Sequence, residues 1–298
     1  MQNTHAKSLN QRWVATLALA AAILTLTISP LFVRWADAPG IVTSLYRMFL
    51  AAIFLAPFAL REINQIDTLQ IKAIIFPILA GFFSAIDHGL WATAIENTTV
   101  ANATLLNNIS PLWVALFAVF VLKEKLPWLF WLGLFAVMIG ASAVLGSTIF
   151  FRPEFVSGDY MAIISSFFYA AFFLSTQKGR SKLSTIAFLW VMLLSAAFFL
   201  MVFVLLLDIQ FYGFSTNTYL IFLVAALVSQ LGGYFLLTFA LGRLPASVVT
   251  PSMVAQPVLT ALIAIPLMQE NLLIWQVIGG IITLLGIWTI NVVKREAG

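Results

Sequence analysis

The stretch Thr104–Gly140, TLLNNISPLWVALFAVFVLKEKLPWLFWLGLFAVMIG, occurs twice in this sequence of 298 residues. A shift of 146 positions, without a gap, aligns it with residues 250–286, and nine of its 37 positions are identical. Apolar sequence produces chance matches of Leu and Ala, whereas a proline, a glutamate and two glycines in fixed register are harder to obtain by chance. Those positions are Pro111 with Pro257, Glu124 with Glu270, Gly133 with Gly279 and Gly140 with Gly286. The match indicates a chain built from two homologous halves.

The composition around this repeat excludes a soluble globular domain. Hydrophobic residues make up 62% of the chain and charged residues only 9%, whereas soluble domains carry about a quarter charged residues. Lipid must therefore be the solvent for most of this apolar surface. The chain has no cysteine, which excludes disulfides, thiolate metal sites and cysteine nucleophiles. No metal site, cofactor or nucleic-acid partner is expected.

Apolar segments long enough to span a bilayer follow one another with short polar breaks. Ten such segments split five and five, which predicts the halves 13–146 and 157–293. Because five is odd, the second half crosses the membrane in the opposite sense, so the repeat is inverted. The predicted fold is an all-α integral membrane protein. Its ten helices are expected at 13–33, 40–60, 73–95, 99–122, 127–146, 159–177, 185–207, 218–241, 246–268 and 272–293.

The basic residues orient this arrangement. With both termini in the cytoplasm, twelve Lys and Arg lie inside and two, Arg34 and Arg152, lie outside. This is a strong positive-inside bias. The repeat supplies a control, since Lys123 and Lys125 flank Glu124 in the first copy and uncharged residues flank Glu270 in the second. We expect a multi-pass protein of a bacterial-type inner membrane.

Three ionisable residues fall within predicted membrane helices, where a charge costs at least about 2.5 kcal/mol. Asp87 and His88 lie near the centre of the third helix, in a polar stripe with Ser84 and Trp91. They are about 100° apart, so both can border one cavity without facing each other. The alternatives are a buried pair that orients helices, or an ion pair of Asp87 with Arg47. Arg47 itself could snorkel to the interface or meet an anionic group in a cavity.

The repeated prolines, Pro111 and Pro257, fall midway along the predicted fourth and ninth helices. Each removes a backbone hydrogen bond and frees the carbonyl four residues earlier, which at membrane depth needs a protein partner or a wet cavity. The polar side chains nearby suit a polar metabolite, although a packed kink is the alternative. They are Asn107, Asn108, Ser110, Ser252, Gln256 and Thr260.

The remaining repeated residues are predicted to be structural. Glu124 and Glu270 lie at tight turns just before a helix, where a carboxylate favours the helix N-terminus. The repeated glycines are spaced by seven residues and lie on one helix face, which indicates helix packing and could also form a dimer surface. A homodimer is therefore a possible assembly.

These features resemble the EamA-type transporters of the drug/metabolite transporter superfamily. The resemblance rests on the two halves, on Pro111 or Pro257 followed thirteen positions later by a glutamate, and on the spaced glycines. The segment Arg47-Met48-Phe49 is also similar to the Arg-Phe pattern of the family, with one residue inserted. The likeness covers essentially the whole chain.

The resemblance implies two inverted bundles around a central cavity lined by helices one, three, four, six, eight and nine. It further implies transport of amino acids or related small metabolites by alternating access, commonly export. The related small multidrug branch has a central glutamate in its first helix, but this chain offers only Thr25, Thr27 and Ser29 there. Coupling to protons would then need Asp87, or transport would be passive. The cavity candidates are Asp87, His88, Trp91, Asn107, Asn108, Tyr169, Tyr234, Ser252 and Gln256.

The sequence therefore favours a secondary transporter of small polar metabolites, with an uncoupled facilitator or an importer as the alternative. A membrane enzyme is less favoured, because adjacent residues such as Asp87 and His88 cannot form a line of nucleophile, base and orienting group. A non-transporting scaffold is also less favoured, because the chain shows no docking tail.

Overall fold

The computed structural model describes residues 2–63, 68–98, 100–145, 156–259 and 274–296. Within those ranges every regular element is a helix, so the prediction of an all-α fold is confirmed. A further helical turn covers residues 255–259. The helices are α1 (Gln2–Thr27), α2 (Ser29–Trp35), α3 (Gly40–Ile63), α4 (Thr68–Ala73), α5 (Ile75–Asn97), α6 (Val100–Asn107), α7 (Ser110–Phe120), α8 (Trp128–Leu145), α9 (Ser157–Arg180), α10 (Thr185–Leu206), α11 (Thr216–Ala225), a π-helical segment (Ala226–Tyr234), α12 (Phe235–Leu241), α13 (Ala246–Met253) and α14 (Ile274–Glu296).

Nine helical stretches in the described part of the chain are long and apolar enough to cross a membrane. They agree with the predicted helices one to eight and ten within a few residues. The stretch that corresponds to the predicted ninth helix is shorter, Ala246–Leu259. The rest of that prediction, together with Glu270, lies outside the described residues. The nine stretches are Arg12–Val33, Gly40–Ile63, Ile71–Asn97, Asn102–Phe120, Trp128–Leu145, Ser157–Arg180, Thr185–Leu206, Thr216–Leu241 and Ile274–Lys294.

Four of these helical stretches are interrupted shortly before a proline. The breaks fall at Ile28, at Ile74, at Asn108–Ile109 and at Val254, two or three residues ahead of the proline in each case. The proline ring removes one backbone donor and clashes with the carbonyl four residues earlier, so the helix restarts there. The interruptions at Ile28 and Ile74 were not predicted. The four prolines are Pro30, Pro77, Pro111 and Pro257.

The chain forms two compact units, and each contains helices from both sequence halves. The first unit comprises Met1–Gly89 and Ala171–Pro245, and the second comprises Leu90–Ala170 and Ala246–Gly298. Helices α5 and α9 each begin in one unit and end in the other. The predicted halves, 13–146 and 157–293, describe sequence repeats and stay a prediction.

In the second unit, the repeated glycines pack against each other across α8 and α14. A methyl group on Gly140 would lie 2.5 Å from the carbonyl oxygen of Gly279, and one on Gly286 would lie 2.6 Å from that of Gly133. The glycines thus let the two backbones touch. Because the earlier glycine of α8 meets the later one of α14, the two helices run antiparallel. These helices are equivalent in the repeat, so their antiparallel pairing supports its inversion.

The turn before α8 is tied to the end of α14 by an ion pair. Lys294 Nζ lies 2.6 Å from Glu124 Oε2, so a lysine engages this carboxylate. The sequence alone instead suggests that the carboxylate favours the N-terminus of the next helix. The Glu124 amide donates to the Ala118 carbonyl after Lys123, whose φ of 55° closes the end of α7.

Removing the ion pair of Lys294 with Glu124 is expected to change the stability of the protein only slightly. Lys294→Met should lower the free energy of unfolding by about 1 kcal/mol or less, because the Glu124 side chain stays partly exposed. Thermal unfolding in detergent measures the change, with Lys125→Met as the exposed control. A loss several times larger would mean that the pair anchors the whole second unit.

In the first unit, α3 is held by aromatic contacts on both sides of Arg47. Tyr46 stacks on Phe222 of α11 with ring centroids 4.8 Å apart, and its hydroxyl donates to the Phe211 carbonyl at 2.9 Å. Further along, Trp190 of α10 donates from its indole nitrogen to the Ala52 carbonyl. These contacts fix the turn of α3 that carries Arg47.

Candidate functional site

Three residues of the polar stripe of α5, Ser84, Asp87 and His88, are buried in the first unit. Asp87 and His88 are each 5% exposed. His88 Nδ1 lies 2.8 Å from the Ser84 carbonyl oxygen and 3.6 Å from Asp87 Oδ2. The expectation that the two side chains do not face each other was therefore wrong, because the imidazole turns back along the helix toward Ser84. With Nδ1 donating to Ser84, the Nε2 atom of a neutral imidazole is left as an acceptor.

Arg47 is buried beside this stripe. It is 2% exposed, and its Nη1 donates to the Ser29 hydroxyl at 2.8 Å. Its charge lies close enough to Asp87 and to the Tyr234 hydroxyl to interact with both. Its Nε has no hydrogen-bond partner among the described residues. The snorkelling alternative does not describe this side chain, because its guanidinium is enclosed by protein.

Tyr234 brings the second half of the sequence into the same cluster. It is 6% exposed, and its ring centroid lies 6.3 Å from that of His88 and 5.8 Å from that of Phe172. The shift of 146 positions that defines the repeat aligns His88 with Tyr234. Equivalent positions of the two halves therefore meet here. We call Arg47, Asp87, His88 and Tyr234 the charge cluster.

The charge cluster combines a cation and an anion that are both enclosed within membrane helices. Burying a charge is costly unless opposite charges and hydrogen bonds compensate it. The formal charges of Arg47 and Asp87 cancel, which makes their burial tolerable, while the Arg47 N–H at Nε has no acceptor in the described part of the chain. Such a group can bind a polar solute through a guanidinium, a carboxylate, an imidazole and a phenol.

The predicted site residues next to Pro111 lie in the second unit and are used within the protein. The side-chain amide of Asn107 donates to the Ser165 hydroxyl at 2.7 Å, which links α6 to α9. The amide of Asn108, in the break after α6, donates to the Thr104 carbonyl one turn earlier in α6. The Asn108 amide therefore pairs with a backbone carbonyl of the broken helix, whereas the Asn107 amide links the break to α9, and both contacts agree with the packed-kink alternative.

The other predicted residues of the second unit are buried or half-buried. Ser252 donates to the Val248 carbonyl at 2.8 Å, and Asn291 of α14 approaches its hydroxyl at 3.4 Å. Trp91, Tyr169 and Gln256 are half-buried, whereas Pro111 and Pro257 are buried. The structure thus brings four of the ten predicted binding residues together in the first unit and places the other six in the second.

Sequence reasoning missed three polar residues of the first unit. Ser29 accepts from Arg47 at the start of α2. Ser229 and Gln230 are fully buried in the π-helical segment. The repeat held a signal for one of them, because the shift of 146 positions that aligns His88 with Tyr234 also aligns Ser84 with Gln230.

The charge cluster is not a set of metal ligands. In the described part of the chain, no group of three or more His, Cys, Asp or Glu residues could hold a metal ion. The guanidinium of Arg47 would also repel a cation bound to Asp87 and His88.

The comparisons with known proteins agree with the helical fold. The profile of the EamA-like transporter family matches residues 12–146 and 156–292. The chain belongs to the EamA-like transporter family. A solved crystal structure of another protein matches this EamA-like chain with a TM-score of 0.76 at 18% identity, over 95% of this chain and 99% of the other. At that identity the likeness concerns the fold alone. No curated protein matches the sequence.

Family membership confirms the resemblance drawn from the repeat. Two EamA repeats together span nearly all of the chain, and nine apolar helical stretches are described. The EamA-like protein is therefore a multi-pass membrane protein of a transporter family. Its family points to a transporter rather than to an enzyme.

Proposed function

We propose that this protein is a secondary transporter that exports small polar metabolites, amino acids or related solutes, by alternating access. The charge cluster carries the proposal, because enclosed ionisable groups in membrane helices are costly and are usually kept for function. Family membership supports transport, and the cluster supports a polar cargo.

The chemistry of the cluster favours solutes that carry both signs of charge. The guanidinium of Arg47 can receive a carboxylate through its unused Nε donor, and Asp87 can receive an ammonium group. Tyr234 and His88 add a hydroxyl and a ring nitrogen next to them. A zwitterion leaves the net charge of the site unchanged, which lowers the electrostatic cost of enclosing it in the membrane.

The distribution of basic residues supports insertion in an inner membrane with both termini in the cytoplasm. Twelve of the Lys and Arg residues fall on the proposed inner side and two on the outer side. The proposed export then moves solute from the side of Lys178 and Lys182 to the opposite side.

Transport in proteoliposomes tests the proposal. Uptake and efflux of a radiolabelled panel of amino acids and organic acids should show flux with the parent protein and none with empty vesicles. If protons drive the flux, Asp87→Asn should lower gradient-driven flux by at least about tenfold, because it removes the carboxylate nearest to His88. Asp208→Asn, on the exposed turn after α10, is the matched control.

The outcomes separate the two modes of transport. Flux that ignores the pH gradient and persists in Asp87→Asn would identify a facilitator and leave Asp87 with a structural role. Preloaded vesicles compared with empty ones give the preferred direction. Absence of flux for the whole panel, with protein shown to be folded by its unfolding transition, would contradict the proposal.

A further inference from the structure

The π-helical segment Ala226–Tyr234 contains polar side chains that the charge cluster does not include. Ser229 and Gln230 lie in the middle of a long apolar stretch, Thr216–Leu241. Both are fully buried in the first unit. π-Helical segments are uncommon and often occur at functional sites, so this segment is a candidate for a role of its own.

Ser229 and Gln230 have unused hydrogen-bonding atoms. The Ser229 hydroxyl and both the oxygen and the nitrogen of the Gln230 amide have no partner among the described residues. A buried polar group without a partner is destabilising, whereas an apolar side chain of the same shape would cost nothing of this kind. Three such atoms lie on consecutive residues, and a bound molecule that formed hydrogen bonds with them would remove this cost.

The surroundings place this pair next to the charge cluster. Gln230 precedes Tyr234 by four residues, which is about one turn of a π-helix. The π-helical segment packs against α1 and α3, and a methyl group on Gly233 would lie 2.5 Å from Leu26 of α1. Helix α3 carries Arg47, whose charge reaches Tyr234. The pair and the charge cluster are therefore neighbours within one unit.

We infer that Ser229 and Gln230 form a second part of the binding site, which receives an uncharged hydrogen-bonding group of the substrate, a carboxamide or a hydroxyl. The Gln230 amide offers one donor side and one acceptor side, and Ser229 adds a hydroxyl. A carboxamide on the substrate satisfies both sides of the Gln230 amide at once. This inference rests on the proposed function and adds to it a requirement on the substrate.

The inference predicts selection between two amino acids of similar size. Radiolabelled L-glutamine carries a carboxamide where L-leucine carries methyl groups, so glutamine should bind the purified parent protein at least about tenfold more tightly. A site built to hydrogen-bond rejects an analogue that leaves its polar groups unpaired. In Gln230→Leu the ratio of the leucine to the glutamine dissociation constant should fall to about one, because glutamine binds more weakly.

The same variant should be more stable than the parent when no solute is bound. Gln230→Leu replaces two unpartnered polar atoms with apolar ones, so we expect the unfolding temperature in detergent to rise by about 2 °C or more. The control is Gln276→Leu in α14, where the amide donates to the Val144 carbonyl at 3.3 Å. The control should not become more stable, and its glutamine preference should match that of the parent.

Three results would overturn the inference. A parent without preference for glutamine over leucine excludes the proposed carboxamide site. If Gln230→Leu is more stable but still prefers glutamine to leucine, water rather than substrate forms the hydrogen bonds of the Gln230 amide. Gln230→Leu that is less stable and keeps the preference indicates a structural role. Flux of another panel solute would still leave the proposed function standing, whereas absence of all flux would contradict both.

Discussion

Replacing Arg47 with glutamine is expected to abolish transport and to destabilise the protein strongly. Arg47 is enclosed in the first unit, and its charge interacts with that of Asp87. Without it, Asp87 becomes a buried charge that lacks its nearest compensating cation, and breaking such an arrangement costs about 3 kcal/mol or more. We expect the unfolding transition in detergent to shift down accordingly, and flux in proteoliposomes to fall by more than about a hundredfold.

A second variant separates the loss of stability from the loss of transport. Arg47→Gln combined with Asp87→Asn removes both charges, so most of the lost stability should return while transport stays absent. Arg61→Gln, at the exposed end of the same helix, controls for the loss of an arginine and should leave both quantities nearly unchanged. A double variant that regains transport would show that the charges only orient helices.

The second large effect is expected at Gly140. A methyl group there would lie 2.4 Å from Thr283 Oγ1 and 2.5 Å from the Gly279 carbonyl oxygen. Backbone atoms cannot give way, so α8 and α14 must move apart along their contact. Gly140→Ala should therefore lower the free energy of unfolding by about 3 kcal/mol. The midpoint of thermal unfolding in detergent measures this loss.

The control for Gly140→Ala is Gly280 of α14, which directly follows the contact residue Gly279. A methyl group on Gly280 would approach only Val258 Cγ1, a side-chain atom, at 3.2 Å. Gly280→Ala should be close to neutral, since a small shift of Val258 is offset by the better helix propensity of alanine. Equal losses for both variants would mean that the contact of α8 with α14 is looser than the structure shows.

The sequence predicted those parts of the fold that depend on local composition and on the repeat. Apolar runs of spanning length placed the helices, and the register of Pro111 with Pro257 located two of the four broken helices. The glycine spacing predicted close helix packing but not which helices pair, because a stripe of small residues does not identify its partner. The charged residues Arg47 and Asp87 stood out because charges are rare in lipid.

What the sequence could not supply depends on contacts between distant residues. The π-helical segment has no periodicity of its own, because its geometry is set by packing against α1 and α3. In the sequence Gln230 is indistinguishable from other polar residues, because only the structure shows that its amide is buried without a partner among the described residues. The meeting of His88 with Tyr234 follows from the packing of α5 and the π-helical segment, and Ser29 was not assigned as a partner for Arg47.

Accessibility of the charge cluster to water tests the central claim most directly. The chain has no cysteine, so Tyr234→Cys carries a single thiol within the cluster. In proteoliposomes, a small charged methanethiosulfonate reagent should label this thiol from either side of the membrane, and the best transported solute of the panel should slow the labelling. Ser181→Cys on an exposed turn and Phe198→Cys on an exposed apolar position serve as the labelled and unlabelled controls. Labelling that is absent, while Ser181→Cys reacts, would contradict a solute site at the cluster.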